Sequence, residues 1–311
     1  MISVVIPVLN EQHVLRELAQ RLTAVLRDTA VPYEVVFVND GSTDESEKVL
    51  EELREQDARL KIIELSRNFG HQRAIMAGLD YATGDAVIMM DADLQHSPEL
   101  IKTMIEEWTR GYEIVYTRRE PSPKTGFWKR FTSRFFYILF NRLSAVRIPQ
   151  GAADFRLLDK KIVEVLRRFP ERTLFLRGLV QWLGYRQKAI SYTADPRFAG
   201  ETKYSFLRML RLAVDGITSF SSIPLYFSMF FGLLISVISF IYGLVVIYVR
   251  LFTDRAAQGT SSILVAVTFM GGVILVTLGI LGLYIGRIYE EVKNRPRYLV
   301  KKVHGLPEQE R

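Results

Sequence analysis

The chain has 311 residues, 49% of them hydrophobic and 24% charged, with a net charge of +7. That length allows roughly two structural units, and the basic excess admits three partner classes: nucleic acid, an anionic lipid surface or a phosphorylated substrate. Cysteine is absent, which excludes a disulfide framework and a thiolate metal centre and fits a reducing compartment.

The N-terminus, MISVVIPVLNE, has no basic stretch followed by a long apolar run and a small-residue cleavage site. It is therefore not read as a signal peptide, and the soluble part is expected to stay where it is made. ISVVIPV (2–8) reads as a strand, followed by a helical pattern from about Glu11 to Asp28. YEVVFV (33–38), LKIIELS (60–66), DAVIMMD (85–91) and EIVYT (113–117) read as further strands. Helices are expected at about 44–57, 71–83 and 98–109. Apolar strands alternating with helices predict βαβ units and an α/β domain with a mainly parallel sheet. Runs such as VVFV and AVIMM fit strands buried on both faces.

From Arg118 the composition changes: residues 118–142 hold seven Lys/Arg and one Glu, and seven aromatics fall between Lys124 and Arg142. Basic and aromatic residues interleaved at helical spacing read as a helix lying in a membrane interface, at about 124–142. A core helix with a solvated basic face is the alternative. No charge occurs from Gly216 to Val249 or from Ala256 to Gly286, and a bilayer core needs roughly 20 apolar residues in a helix. The expected plan is a domain over 1–203, an amphipathic juxtamembrane helix at 204–222, spans at 223–249 and 262–286, and a basic tail at 287–311. Because the chain enters a bilayer, nucleic acid is set aside as a partner. Lys and Arg after the second span place the tail in the cytosol, and two spans place the N-terminal domain there too. The chain is expected to be multi-pass in the plasma (inner) membrane with both termini cytosolic. PRYLV (296–300) has strand character and is a candidate for pairing with a neighbouring copy in a homo-oligomer.

In such sheets ligands sit beyond the carboxyl ends of the strands, and four polar clusters fall there: Asn10 and Glu11, then Asp40 to Ser42, then Arg67 and Asn68, then Asp91, Asp93 and Gln95. In DADLQ (91–95), two carboxylates spaced i, i+2 can face one hard divalent cation with Gln95 adding an amide oxygen, and Mg²⁺ is usually shared with substrate phosphates. A solvated acidic turn is the alternative. In VNDGSTDES (38–46), Gly41 permits a tight turn, Ser42, Thr43 or Asp44 can cap the next helix, and Asp40 is placed to accept hydrogen bonds from a nucleobase. VIPVLNE (5–11) can set Pro7 and Glu11 against base and ribose, or be a plain strand-to-helix turn. Neither segment is a GxGxxG or GxxxxGK[ST] loop, which disfavours a dinucleotide dehydrogenase or a P-loop enzyme. Four scattered histidines argue against zinc.

VIPVLNE, VNDGSTD, LSRNFGHQ, GDAVIMMDADLQHSPE, GAADFRLLD and AGETKYS, in that order and followed by two apolar spans, resemble the family 2 glycosyltransferases. The set is most similar to the polyprenyl-phosphate sugar transferases: bactoprenol glucosyltransferases, the aminoarabinose transferase group and dolichyl-phosphate mannose synthases. The resemblance implies a GT-A fold, with Pro7, Asn10, Glu11, Asp40, Arg67 and Asp91 on the donor nucleotide side. It implies that Asp91, Asp93 and Gln95 hold Mg²⁺ or Mn²⁺ on the diphosphate, which counts Asp93 among the catalytic residues. Asp154 in GAADFRLLD matches a position regarded as catalytic in related enzymes, as a base or as an orienting residue. Arg118, Arg119, Arg177 and Lys203 are candidates for the acceptor phosphate and the diphosphate, since an Arg presents a planar fork to phosphate oxygens. A QxxRW motif is missing: Gln181-Trp182 stands in LVQWLG, against a polysaccharide synthase. The implied reaction is inverting transfer of one sugar from a nucleotide sugar, glucose from UDP-glucose first, to a polyprenyl (undecaprenyl) phosphate. Aminoarabinose-type and mannosyl donors are the rivals, with a non-catalytic membrane scaffold a further alternative.

Overall fold

The computed structural model describes residues 1–120, 142, 149, 151–169, 171, 175–192, 218, 221–252 and 259–306. Lys203 and almost all of 124–142 and 204–222 lie outside them, and with them both expected interface helices.

The elements run β1 (Ile2–Val8), α1 (Leu15–Asp28), β2 (Tyr33–Asn39), α2 (Ser46–Gln56), β3 (Leu60–Leu65), α3 (His71–Tyr81), β4 (Ala86–Met89), α4 (Leu100–Thr109), β5 (Ile114–Arg119), β6 (Ala152–Asp159), α5 (Lys160–Arg168), α6 (Leu176–Trp182), β7 (Gln187–Tyr192), α7 (Ile223–Phe252), α8 (Thr260–Val292) and β8 (Val300–His304). The eight strands form one sheet in the order β7-β5-β6-β4-β1-β2-β3-β8. β1 pairs in parallel with β2 and β4, β2 with β3, and β5 with β7, while β6 and β8 run antiparallel to their neighbours.

The apolar runs of the sequence are buried on both faces because helices cover both. Val4, Ile6, Val35, Phe37 and Ile62 pack with the apolar stripes of α1, α2 and α4. The opposite face carries α3. There Gly78 is required: a Cβ would overlap Val5 Cγ1 and lie 3.1 Å from Val38 Cγ2. Gly78→Ala is therefore expected to lower stability by about 1–3 kcal/mol through overpacking, outweighing the roughly 1 kcal/mol that Ala gains over Gly in a helix. Thermal melts of the full-length protein will show this as a lower Tm; an unchanged or higher Tm contradicts the packing.

Three differences from the sequence reading have local causes. α1 begins at Leu15 rather than Glu11, because Asn10 takes a left-handed φ of 58° and the Glu11 and Gln12 N–H groups donate to Ser46 Oγ and Asp44 Oδ2. β4 stops at Met89, so Asp91 stands beyond the strand end. The tail strand lies at Val300–His304 rather than 296–300, and it pairs with β3 of the same chain. Tyr298, just before it, is 1% exposed.

The chain divides into two compact units, one holding the sheet, α1–α6 and β8, the other holding α7 and α8. In the second, Ile223–Val249 and Val265–Val292 are long and apolar enough to cross a membrane, and their large hydrophobic side chains are exposed. Ser239 Oγ lies 3.9 Å from Met270 Sδ, and the Tyr284 hydroxyl donates to the Ser221 carbonyl at 2.7 Å, as an antiparallel hairpin requires.

Candidate active site

β1 has β2 on one side and β4 on the other, so chain order reverses at β1, and the crevice beyond the carboxyl ends of these strands is a ligand site by topology. Pro7 is tolerated there. The β1–β4 ladder ends at Val5 and Met89, so its missing N–H falls past the last β4 partner.

After β4 the chain bends through 92–94, where the Gln95 N–H donates to Asp93 Oδ1 at 3.1 Å, and burial alternates along it: Ala92, Leu94 and His96 are buried, while Asp91, Asp93 and Gln95 are half-buried. The buried Ala92, Leu94 and His96 anchor the turn and leave Asp91, Asp93 and Gln95 partly open at the strand end. Leu94 takes a left-handed φ of 57°, an uncommon conformation for a bulky residue, and it is held because its side chain is in the core. The Asp91 N–H donates to His96 Nδ1, and His96 stacks on Phe155 at 5.1 Å. Asp91 Oδ1 is shut off from water and has no hydrogen-bond donor among the described residues; His71 Nε2 is 3.3 Å from it. Burial pushes the Asp91 carboxyl above its ordinary value, against His71 and His96 and with the charges of Asp154 and Asp93. A donor-less carboxylate oxygen with a second carboxylate close by fits a divalent cation.

β6 brings the next group. Its register with β4 pairs Met89 with Arg156, and two residues further on that register sets Asp154 opposite Asp91. Asp154 is 7% exposed. Arg177, from α6, grips both its oxygens, Nε to Oδ1 at 2.7 Å and Nη2 to Oδ2 at 2.8 Å. Arg156 Nη2 lies 3.7 Å from Oδ1 and His71 Nε2 lies 3.9 Å from Oδ2. Burial raises the Asp154 carboxyl, but the Arg177 charge and fork, then Arg156 and His71, hold it well below the usual carboxylate range. Arg156, 2% exposed, is pulled by burial down to about 10 against the charge of Asp154.

On the β1–β2–β3 side the loops are stitched to one another. Thr43 N–H donates to Asn10 Oδ1 at 2.8 Å and Asn10 N–H to Ser42 Oγ at 3.0 Å. Asp44, as the sequence allows, receives the Ser46 N–H at the start of α2. Asp40 is 2% exposed, and its carboxylate accepts the Phe69 N–H at 2.7 Å and the Gly70 N–H at 2.9 Å. Burial raises its pKa against those two bonds. Asn10 and Asp40 thus shape the loops, Asn10 binding β1 to β2 and Asp40 holding the β3–α3 loop. Gly41 has φ 69°, and a Cβ there would lie 2.6 Å from the Arg67 carbonyl carbon, so no other residue fits. Arg67 is exposed on this loop, its guanidinium 4.2 Å from the Phe69 ring centroid. Glu11 is half-buried at the loop after β1.

Arg118 and Arg119 end β5 and are exposed. Arg118 Nη2 is 3.3 Å from Ser191 Oγ; the charge of Arg119, with those of Asp91, Asp93 and Arg177, acts on Tyr192, whose hydroxyl burial pushes up. Asp91, Asp93, Asp154, Arg177 and Arg119 therefore share one electrostatic neighbourhood, while Arg118 turns to β7. His71, His96 and Arg156 lie inside the motifs LSRNFGHQ, GDAVIMMDADLQHSPE and GAADFRLLD, which by themselves give them no role, and they belong to the site together with Tyr192. Only the pairing of β6 with β4 and of β7 with β5 brings Arg156 and Tyr192 there.

A family model, Glycosyl transferase family 2, matches residues 3–167. A glycosyltransferase of Bacillus subtilis, YkcC, is 47% identical over 98% of this chain and 94% of its own. A prophage-derived bactoprenol glucosyl transferase of Shigella flexneri is 40% identical over 97% of this chain and 98% of its own, and a homologue in Escherichia coli is 38% identical over 97% and 99%. Among solved structures, a glucosyl-3-phosphoglycerate synthase of Mycobacterium tuberculosis with Mn²⁺ and UDP-glucose superposes with a TM-score of 0.48 and 16% identity, covering 70% of this chain and 77% of that one. A mainly parallel sheet with its crevice at the β1–β4 reversal, a family match over most of that domain and end-to-end identity with named transferases place the chain in glycosyltransferase family 2, with a GT-A catalytic domain.

Proposed function

We propose that this chain transfers one glucose from UDP-glucose to a polyprenyl phosphate, with inversion at the anomeric carbon. The observation that carries the reading is the closeness of the Asp91 and Asp93 carboxylates to the Arg177 guanidinium held by Asp154, the first suited to a diphosphate-bound cation and the second, by its charge, to a phosphate anion. The bactoprenol glucosyl transferases that match end to end support the sugar and the lipid class.

The lipid phosphate oxygen attacks the anomeric carbon, the bond from that carbon to the nucleoside diphosphate oxygen breaks, and the electron pair leaves with the diphosphate. A phosphate monoester loses its second proton near pH 6, so at neutral pH the nucleophile needs no base. Asp154, held ionised by Arg177, suits orientation: it fixes the Arg177 guanidinium, which is 33% exposed, where its positive charge meets an incoming phosphate. Arg119 adds positive charge on the same side. A divalent cation, Mg²⁺ or Mn²⁺, held by Asp91, Asp93 and Gln95 would neutralise charge on the departing diphosphate. Arg67, Glu11 and the loop latched by Asp40 receive the nucleoside.

The acceptor lies in a bilayer, and α7 and α8 tether the domain there. β8 follows the second span in sequence yet pairs with β3, which supports an even number of crossings with the catalytic domain and the C-terminus on the cytosolic side of the plasma (inner) membrane. The cysteine-free chain makes this testable: in intact protoplasts an impermeant maleimide will label Gln258→Cys but label Arg311→Cys only after permeabilisation. Equal labelling of both contradicts the topology. The donor is tested by offering purified protein UDP-glucose, a UDP-linked aminoarabinose-type sugar and GDP-mannose with undecaprenyl phosphate and reading the lipid product by mass spectrometry. UDP-glucose is expected to dominate; a product from either rival donor alone replaces the sugar.

A further inference from the structure

β8 reaches the sheet at the catalytic end of β3. Leu65 lies opposite Val300, and the Ser66 N–H donates to the Leu299 carbonyl at 2.9 Å. One residue earlier, the buried Tyr298 donates its hydroxyl to Asp80 Oδ2 at 2.6 Å. Ser66 and Asp80 bracket one continuous piece of chain, the loop 67–70 and α3. That piece gives the Phe69 and Gly70 N–H groups to Asp40, carries Arg67, and puts His71 beside Asp91 and Asp154. Asp40 and Gly41 hold the loop from the β2 side; Tyr298 and Leu299 hold the same piece from the other.

Charge fixes the register of this strand as well as the ladder. Lys301 lies 3.7 Å from Glu47 and 3.5 Å from Glu64, Lys302 3.3 Å from Glu51, and His304 Nε2 2.9 Å from Glu64 Oε1. A one-residue slip would turn each of these side chains to the other face and pull Tyr298 from its pocket. A hydroxyl bonded to a carboxylate is a charge-assisted bond, and this one fastens the end of α3 farthest from the crevice.

We propose that Tyr298 is a positioning residue: anchored to Asp80, it fixes the loop 67–70 and the first turn of α3 in the shape that receives the donor nucleoside, so residues that follow the second apolar helix complete the donor side of the site. The inference rests on the reading of that loop as the nucleoside side of the crevice.

The test uses the full-length protein, with UDP-glucose varied at saturating undecaprenyl phosphate and the reverse. Tyr298→Phe keeps the ring and deletes the hydroxyl; the KM for UDP-glucose is expected to rise roughly three- to tenfold, with kcat and the acceptor KM within about twofold of wild type. Asp80→Ala should raise the KM for UDP-glucose too, and the double variant should fall short of the sum of the two singles, because they share one bond. Asp40→Asn, which loosens the loop from the β2 side, should also raise the KM for UDP-glucose. If Asp40→Asn raises it and Tyr298→Phe does not, the tail serves the fold alone and the inference falls. A fall in kcat with both KM values unchanged also overturns it, as a loss of folded enzyme. If Asp40→Asn too leaves the KM for UDP-glucose unchanged, the nucleoside sits elsewhere and the donor-side reading falls with it.

Discussion

Replacing Asp91 and Asp93 together by Ala is expected to lower sugar transfer by on the order of a thousandfold while the protein stays folded. The turn that carries them is anchored by Ala92, Leu94 and His96, none of which changes, so the fold survives the double substitution although the turn loses the Gln95 N–H bond to Asp93 Oδ1. Asp91 in particular costs the folded state free energy. Burial, with the neighbouring charges of Asp154 and Asp93, pushes its pKa up, and a carboxyl whose folded value is raised destabilises the fold at every pH where it is ionised. Its removal should leave Tm unchanged or raise it. Loss of activity without loss of stability is thus the expected signature, read by transfer assays and melts on the same preparations, and extra Mg²⁺ or Mn²⁺ should not restore transfer. A variant with undiminished turnover would remove these two residues from the mechanism.

Arg177→Ala is expected to do the opposite to stability. It strips the bidentate partner from a carboxylate that is 7% exposed. Breaking a buried pair is strongly destabilising, and about 3 kcal/mol, the low end of that range, is expected because the arginine side chain is 33% exposed. The sign with pH follows. In the native protein the Asp154 pKa is depressed, so its contribution is present above the ordinary carboxylate value and is lost only as pH falls through the lower folded value. Without Arg177, only Arg156 and His71 oppose burial and the pKa rises from its native value, so protonation relieves the variant at a higher pH than it would the wild type. The Tm gap between wild type and variant should therefore be largest at pH 7 and shrink toward pH 4. Transfer should fall roughly a hundredfold. Arg177→Lys should recover part of the stability and little of the activity, since a lysine supplies the charge without the fork. Full activity in Arg177→Lys would rule out orientation through the bidentate pair with Asp154.

Much of the catalytic fold is legible in the chain because β1 to β4 are buried on both faces and must read as apolar runs, with polar clusters wherever such a strand ends at the crevice. The carboxylate turn is legible because its acidic residues cluster where the apolar run of β4 ends. The remainder is set by pairing between distant segments. β6 enters antiparallel between β4 and β5, and that insertion, invisible in local pattern, brings Asp154 and Arg156 to Asp91 and lets α6 deliver Arg177. Asn10 and Asp40 show what reading strand ends one at a time leaves out: besides any ligand, a short polar side chain there can bind a neighbouring loop, as both do. Lys301 and Lys302 show it again. As sequence they count toward a basic cytosolic tail, yet they face Glu47, Glu51 and Glu64 across the sheet edge, because the β3 edge had to be covered.

The most direct measurement is the product itself. Purified protein with UDP-glucose, undecaprenyl phosphate and Mg²⁺ or Mn²⁺ should yield a lipid carrying one glucose, β-linked through phosphate by NMR, with one UDP released for each sugar transferred. A polymer, an α-linked product, or UDP release with no sugar on the lipid would contradict the account.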